Sequence, residues 1–234
     1  MISAVLYNSA ESGSTEELTA LDDFYGYWAF WKYISDNGAS SGRAPYLMDW
    51  KIGNKDGGPK RLSDSTVWGQ NSAEDADVDA AKGIIMMCVA MKSKGHDSTY
   101  SWWTNVCDYG VHICDAIFDH DTIQGNSANS KIADQRIMTG GSTWGGFNAG
   151  NPSYVCPATY NLCRDFVSAY GGGTHTTEWN TVLTTGFAFL SDTVSDNGLT
   201  SNWGFPCGAA CYDQCDKGHG QFDGKDCPGT AINS

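Results

Sequence analysis

Ala73-Glu74-Asp75-Ala76-Asp77-Val78-Asp79-Ala80-Ala81 leads without a break into Lys82-Gly83-Ile84-Ile85-Met86-Met87-Cys88-Val89-Ala90-Met91. The second half of this stretch is apolar on nearly every side, so a helix over about 75–94 has to sit deep in the molecule. Its head is different. An acid in the first turn of a helix interacts favourably with the positive end of the dipole, worth under about 1 kcal/mol. Acids at 75, 77 and 79 exceed what capping requires, which marks this helix start for chemistry.

Reading outward, Leu18, Leu21, Phe24, Trp28, Phe30, Trp31 and Ile34 recur at near-helical spacing over 16–36, and Asn37-Gly38 ends that helix. Further helices fall at about 100–118, at 157–170 before Gly171-Gly172-Gly173, and at about 177–195 before Asn197-Gly198. Met1-Ile2-Ser3-Ala4-Val5-Leu6-Tyr7 begins apolar without a basic segment, so it reads as helix interior and not as a signal peptide. Strand signals are scarce and no fixed-period repeat is visible. Polar, Gly-rich connections over 38–72 and 119–153 alternate with short ones, and the chain from 199 onward is a Cys-, Gly- and Asp-rich loop region. The expectation is an all-α protein of helical hairpins whose long loops gather at one end and carry the function.

The 234 residues are 41% hydrophobic and 18% charged, a globular composition. No stretch approaches the roughly 20 apolar residues of a membrane span. With 14 Lys+Arg against 27 Asp+Glu the formal net charge is −13, which argues against a nucleic-acid partner, since phosphate binding relies on clustered cations. Nine cysteines are many for a reducing compartment. Cys88, Cys107, Cys114, Cys156 and Cys163 fall on expected helices and read as buried thiols packing as small hydrophobes. Cys207, Cys211, Cys215 and Cys227 lack the usual two-residue zinc spacing; they read as disulfide staples of a long loop, with a zinc site as the alternative.

The loops combine acids with tryptophans. Trp50, Trp68, Trp144 and Trp203 lie near Asp49, Asp64, Asp75 and Asp223. An indole face stacks on the apolar face of a sugar ring, and such rings also serve as lids over a core. Two carboxyl groups flanking an acetal oxygen are the minimum equipment of a glycosidase.

Four segments in order carry a family resemblance: Leu47-Met48-Asp49-Trp50-Lys51-Ile52, Ala73 to Asp77, Asn151-Pro152-Ser153-Tyr154-Val155-Cys156-Pro157-Ala158-Thr159-Tyr160, and Gln221-Phe222-Asp223-Gly224-Lys225-Asp226-Cys227-Pro228. Together they resemble glycoside hydrolase family 8, inverting endoglucanases, chitosanases and xylanases built as (α/α)6 barrels. The resemblance implies one partial catalytic domain over 1–234, about half of that barrel. Asp223 would be the catalytic base, and Asp75 with Asp77 would hold the sugar at the cleavage point. Trp50, Trp68, Trp144, Tyr154 and Trp203 would bind substrate. Glu74 stands where the family has Thr or Ser. Asp226, Gly229 and Thr230 stand where it has Arg, Trp and Arg. The family's general-acid Glu would fall upstream of Met1, leaving this chain impaired.

The implied protein is a secreted monomer acting on a β-1,4-linked polysaccharide, with no cofactor, metal or membrane partner. A xylanase or chitosanase of the same family remains open. So do a non-catalytic glycan-binding half toroid and, from the late cysteines, a zinc-stabilised interaction module.

Overall fold

The computed structural model describes residues 1–36, 44–49, 52–54, 59–61, 71–125, 127, 133–142, 147, 154–197, 221–222 and 225–226, with backbone alone at 53–54, 59–61, 191–197 and beyond. Six helices dominate it: α1 (Ile2–Ser9), α2 (Thr15–Asp36), α3 (Glu74–Ser93), α4 (Trp103–His120), α5 (Pro157–Tyr170) and α6 (Trp179–Asn197). Each expected helix is present. The all-α reading therefore holds for the described residues.

Helix α3 is central, packing against α1, α4 and α5. It does so because its inward side is almost purely apolar: Val78, Ala81, Ile84, Ile85, Met87, Cys88, Ala90 and Met91 are all buried. At Gly83 the backbones of α1 and α3 meet so closely that an added Cβ would lie 2.6 Å from the Met1 nitrogen. Aromatic pairs fill the α2–α4 contact, with Phe24 stacked on Trp102 and Trp28 edge-on to Tyr109.

Two features differ from expectation. The connections contain small antiparallel hairpins: β1 (Ile52–Asn54) with β2 (Pro59–Arg61), β3 (Thr122–Gln124) with β4 (Arg136–Met138), and β5 (Gln221–Phe222) with β6 (Lys225–Asp226). In the second, Thr122 pairs with Met138 and Gln124 with Arg136. Strands of three residues or fewer are too short to show an alternating pattern. The second difference is in the cysteines. Cys88 bonds to Cys107 and Cys114 to Cys163, so four of the five expected thiols are disulfides and Cys156 alone of the five is free. Both pairs bring Cα atoms to 5.5 Å across a helix–helix contact, well within bridging range. The cysteines at 207, 211, 215 and 227 lie outside the described residues.

The short and long connections serve opposite ends of α3. At its C-terminal end the tips of the first two hairpins dock together: Lys94 donates to the carbonyls of Tyr7 and Ala10, and the Tyr7 hydroxyl meets His96 Nδ1 at 2.6 Å. At its N-terminal end the two long connections meet. Ser72 and Ser142 exchange two hydrogen bonds, and the Glu74 amide donates to Gly140.

Candidate active site

Helix α3 begins without a side-chain cap, from Ala73 in extended backbone. Its first turn carries Glu74, Asp75 and Asp77. Residues three apart share a helix face, and the next residue along is turned away by about 100°. Glu74 and Asp77 therefore point the same way as Val78 and Ala81, into the protein, at 1% and 0% exposure. Asp75 is exposed, its Oδ1 accepting from the amide of Ala76 at 2.9 Å.

A third buried acid comes from the end of α4. Asp121 is fully buried as that helix's C-terminal cap. Its Oδ1 accepts a 2.6 Å hydrogen bond from the Ser72 hydroxyl, which itself accepts from the Ser142 amide at 2.7 Å. The Asp121 carbonyl accepts from both the amide and the hydroxyl of Thr139. Residues 72, 121, 139 and 142 thus lock the two long connections together behind the head of α3.

Among the described residues neither oxygen of Asp77, nor Oδ2 of Asp121, has a hydrogen-bond partner. Asp121 lies within electrostatic range of Asp77, as does the Met48 backbone. Met48 is held there by its own segment, residues 44–49. Tyr46 adopts a positive φ of 64°, and its carbonyl accepts from Trp31 Nε1 at 2.9 Å and from the Tyr109 hydroxyl at 3.1 Å.

Burial is the main force on all three acids. It pushes the Glu74 carboxyl well above the usual carboxylate range, helped by the negative charge of Asp121. It does the same to Asp77, again with Asp121 adding repulsion. Asp121 is pushed up to about 7, less far because the Ser72 hydroxyl hydrogen-bonds to its charged form. The helix dipole would act in the opposite direction, but its contribution is smaller than the cost of desolvating a carboxylate. Glu74 Oε1 is left without a hydrogen-bond partner. The arrangement sets acids whose carboxyls burial raises beneath an exposed one, Asp75.

Helix α5 closes the pocket from the other side. Tyr160 is fully buried; its hydroxyl donates to the Tyr154 carbonyl at 2.8 Å and accepts from the Cys156 amide at 3.0 Å. Tyr154, expected from the sequence to bind substrate, lies half-buried just ahead of this helix. Asp75 and Asp77 share the site but divide between its outer and inner sides. Asp223, Trp50, Trp68, Trp144 and Trp203 lie outside the described residues. Asp121 and Ser72 went unnoticed in the sequence: nothing in the spacing of Asp115, Asp119 and Asp121 tells which of them turns inward. Among the described residues no group of three or more His, Cys, Asp or Glu is arranged to hold a metal ion, and no helix is long and apolar enough to cross a membrane.

No protein-family model matches the chain, and no solved structure matches it. Two curated proteins are similar to it. Endoglucanase C of Ruminiclostridium cellulolyticum is 27% identical over 158 residues, 66% of this chain and 27% of that protein. Endoglucanase 2 of Ruminiclostridium josui is 25% identical over 205 residues, 84% of this chain and 35% of that protein. The chain therefore spans about a third or less of the length of these relatives. It is a mostly helical protein with a distant, cellulase-like relationship, whose most conspicuous chemistry is a set of buried acids at one helix head.

Proposed function

We propose that this chain is part of a glycoside hydrolase that cleaves β-1,4 linkages within a glucan chain by the inverting route of glycoside hydrolase family 8. The observation that carries the reading is the head of α3. An exposed Asp75 stands over two fully buried acids, on a motif that resembles that family's, in a chain similar to two endoglucanases. Asp75 contacts the sugar at the cleavage point, and Asp77 supports the backbone beneath it. Asp223 takes the proton from water on the opposite face of the ring. An inverting pair needs roughly 6.5–9.5 Å between its carboxyl groups to admit that water.

The resemblance matches none of these 234 residues to the family's general acid. General acid–base catalysis contributes about 10²–10⁴-fold, so the chain alone turns over slowly and the longer protein quickly. The described helices form part of an (α/α)6 barrel. Supporting this, the α1–α2 side is apolar and open: Ile2 is 73% exposed, Tyr27 77%, and Val5, Leu6 and Phe30 are exposed beside a groove of about 420 Å³. The two disulfides fit an oxidising, extracellular setting.

Reducing-end release from a soluble β-1,4-glucan tests the reading, for the chain alone and for the chain extended at its N-terminus. Slow hydrolysis by the chain, lost on Asp223→Asn and accelerated by the extension, is expected. Glucan binding with no hydrolysis in either form would replace the enzyme with a binding module.

A further inference from the structure

Among the described residues the backbone is strained at one non-glycine position, Tyr46, whose φ is 64°. The left-handed region crowds a side chain's Cβ against its own backbone, so a large residue stays there only when its surroundings over-determine it. Two helices do so here. The Tyr46 carbonyl accepts from Trp31 Nε1 of α2 at 2.9 Å and from the Tyr109 hydroxyl of α4 at 3.1 Å. The Tyr46 ring stacks on His112 of α4, with centroids 4.9 Å apart, and meets Tyr109 edge-on at 5.3 Å. A glycine would adopt the turn freely but would forgo the ring contacts.

The turn sets two parts of one wall. On α2, its carbonyl ties down the one polar atom of the half-buried Trp31 side chain. Further along the segment, Leu47 and Asp49 are buried at 0% and 1% exposure, with the half-buried Met48 between them. Trp31 and Met48 both line the groove of about 420 Å³ whose other side is Ala76, Asp79, Ala80 and Gly83 of α3. Ala76 adjoins Asp75 in the first turn of that helix.

We propose that Tyr46 is a positioning residue, whose left-handed turn fixes the Trp31 indole and Met48 as the wall along which a glucan reaches Asp75. With its N–H already bonded, the Trp31 side chain has only apolar indole surface left to offer the groove. Such a surface suits the apolar face of a sugar ring and not its hydroxyl edge. The consequence for substrate rests on the glucan-hydrolase reading. The hold on Trp31 does not.

Tyr46→Gly and Tyr46→Ala decide the matter, because both remove the same ring and differ in backbone preference. Gly takes a positive φ without strain and Ala does not. Were Tyr46 mere packing, the two variants would behave alike, or Gly would be the worse, since it is the costlier residue to order. The first readout is solvent exchange of the Trp31 Nε1 proton, followed by NMR in the whole chain well below its melting temperature. Exchange is expected to be about tenfold faster in Tyr46→Ala than in Tyr46→Gly, the scale of one strained left-handed residue. Tyr46→Phe, which keeps the ring, should match the wild type. The second readout is affinity for a soluble β-1,4-glucan by titration calorimetry, expected to be about tenfold weaker in Tyr46→Ala than in Tyr46→Gly. Equal exchange in the two variants, faster exchange in Tyr46→Gly, or equal glucan affinities would overturn the positioning role. No glucan binding by the wild type, with the exchange difference intact, would remove the glucan reading and leave the hold on Trp31 standing.

Discussion

The two ends of α3 handle buried acids in opposite ways. At the C-terminal end Glu17 is as buried as Glu74, at 1% exposure. Its Oε1 accepts from Lys94 at 2.6 Å and its Oε2 from the Gly13 amide at 2.7 Å. Burial alone would raise this carboxyl, but the Lys94 ammonium and the Gly13 amide outweigh it, and the net direction is downward. Lys94 donates to three oxygens, those of Glu17, Tyr7 and Ala10, so the pair pins the first two hairpin tips together. At the N-terminal end Glu74, Asp77 and Asp121 are also buried, and among the described residues no cation is hydrogen-bonded to them. A buried carboxylate with its cation is architecture. Buried acids without one have their carboxyls raised, Glu74 and Asp77 well above the usual range and Asp121 to about 7.

The largest effect that would sharpen this contrast is at the satisfied end. Lys94→Met leaves Glu17 buried and unpaired and should cost about 3–5 kcal/mol in urea unfolding at neutral pH. Adding Glu17→Gln to that variant should return part of the loss. A cost below about 1 kcal/mol for Lys94→Met would make the pair an ordinary surface bridge and break the comparison.

A smaller effect of opposite sign belongs to the other end. Folding raises the Glu74 carboxyl well above its ordinary value, so folding takes up a proton at pH values between the two. Glu74→Gln should raise the melting temperature at about pH 8, with the gain vanishing near pH 4, where the acid is protonated in both states. A variant that is destabilised equally at both pH values would show that Glu74 is held as a carboxylate.

The smallest effect is on the shape of stability against pH. Glu17's carboxyl is lowered on folding, so its contribution is complete above its ordinary value and is lost as pH falls through the lowered one. The acids at the other end are raised, so their cost grows as pH rises from about 4, the part due to Asp121 being complete by about 7. Wild-type stability should therefore fall on both sides. Lys94→Met should remove the loss on the acid side and add a cost that grows as pH rises through the ordinary carboxylate value, whereas Glu74→Gln should lessen only the alkaline fall.

The helices were readable because their signals are local. The apolar run from Ile84 to Met91, Pro157 opening α5 and Gly171 closing it lie within the elements they define. Asp75 and Asp77 were readable as unusual because they crowd one helix start. Their division into an outer and an inner acid follows from helix geometry once the apolar face is known. What escaped is non-local. Asp121 reaches Asp77 across 44 residues, and Ser72 reaches Ser142 across two loops. The partners of Cys88 and Cys114 depend on which helices touch. The short hairpins have too few residues to declare a period.

Carboxyl carbon NMR titration of Glu17, Glu74, Asp77 and Asp121 in the folded chain tests the central contrast most directly. Glu17 should ionise below the ordinary carboxylate range, Glu74 and Asp77 well above it, and Asp121 near about 7. All four carbons titrating together near about pH 4 would contradict this, because the head of α3 would then hold ordinary carboxylates.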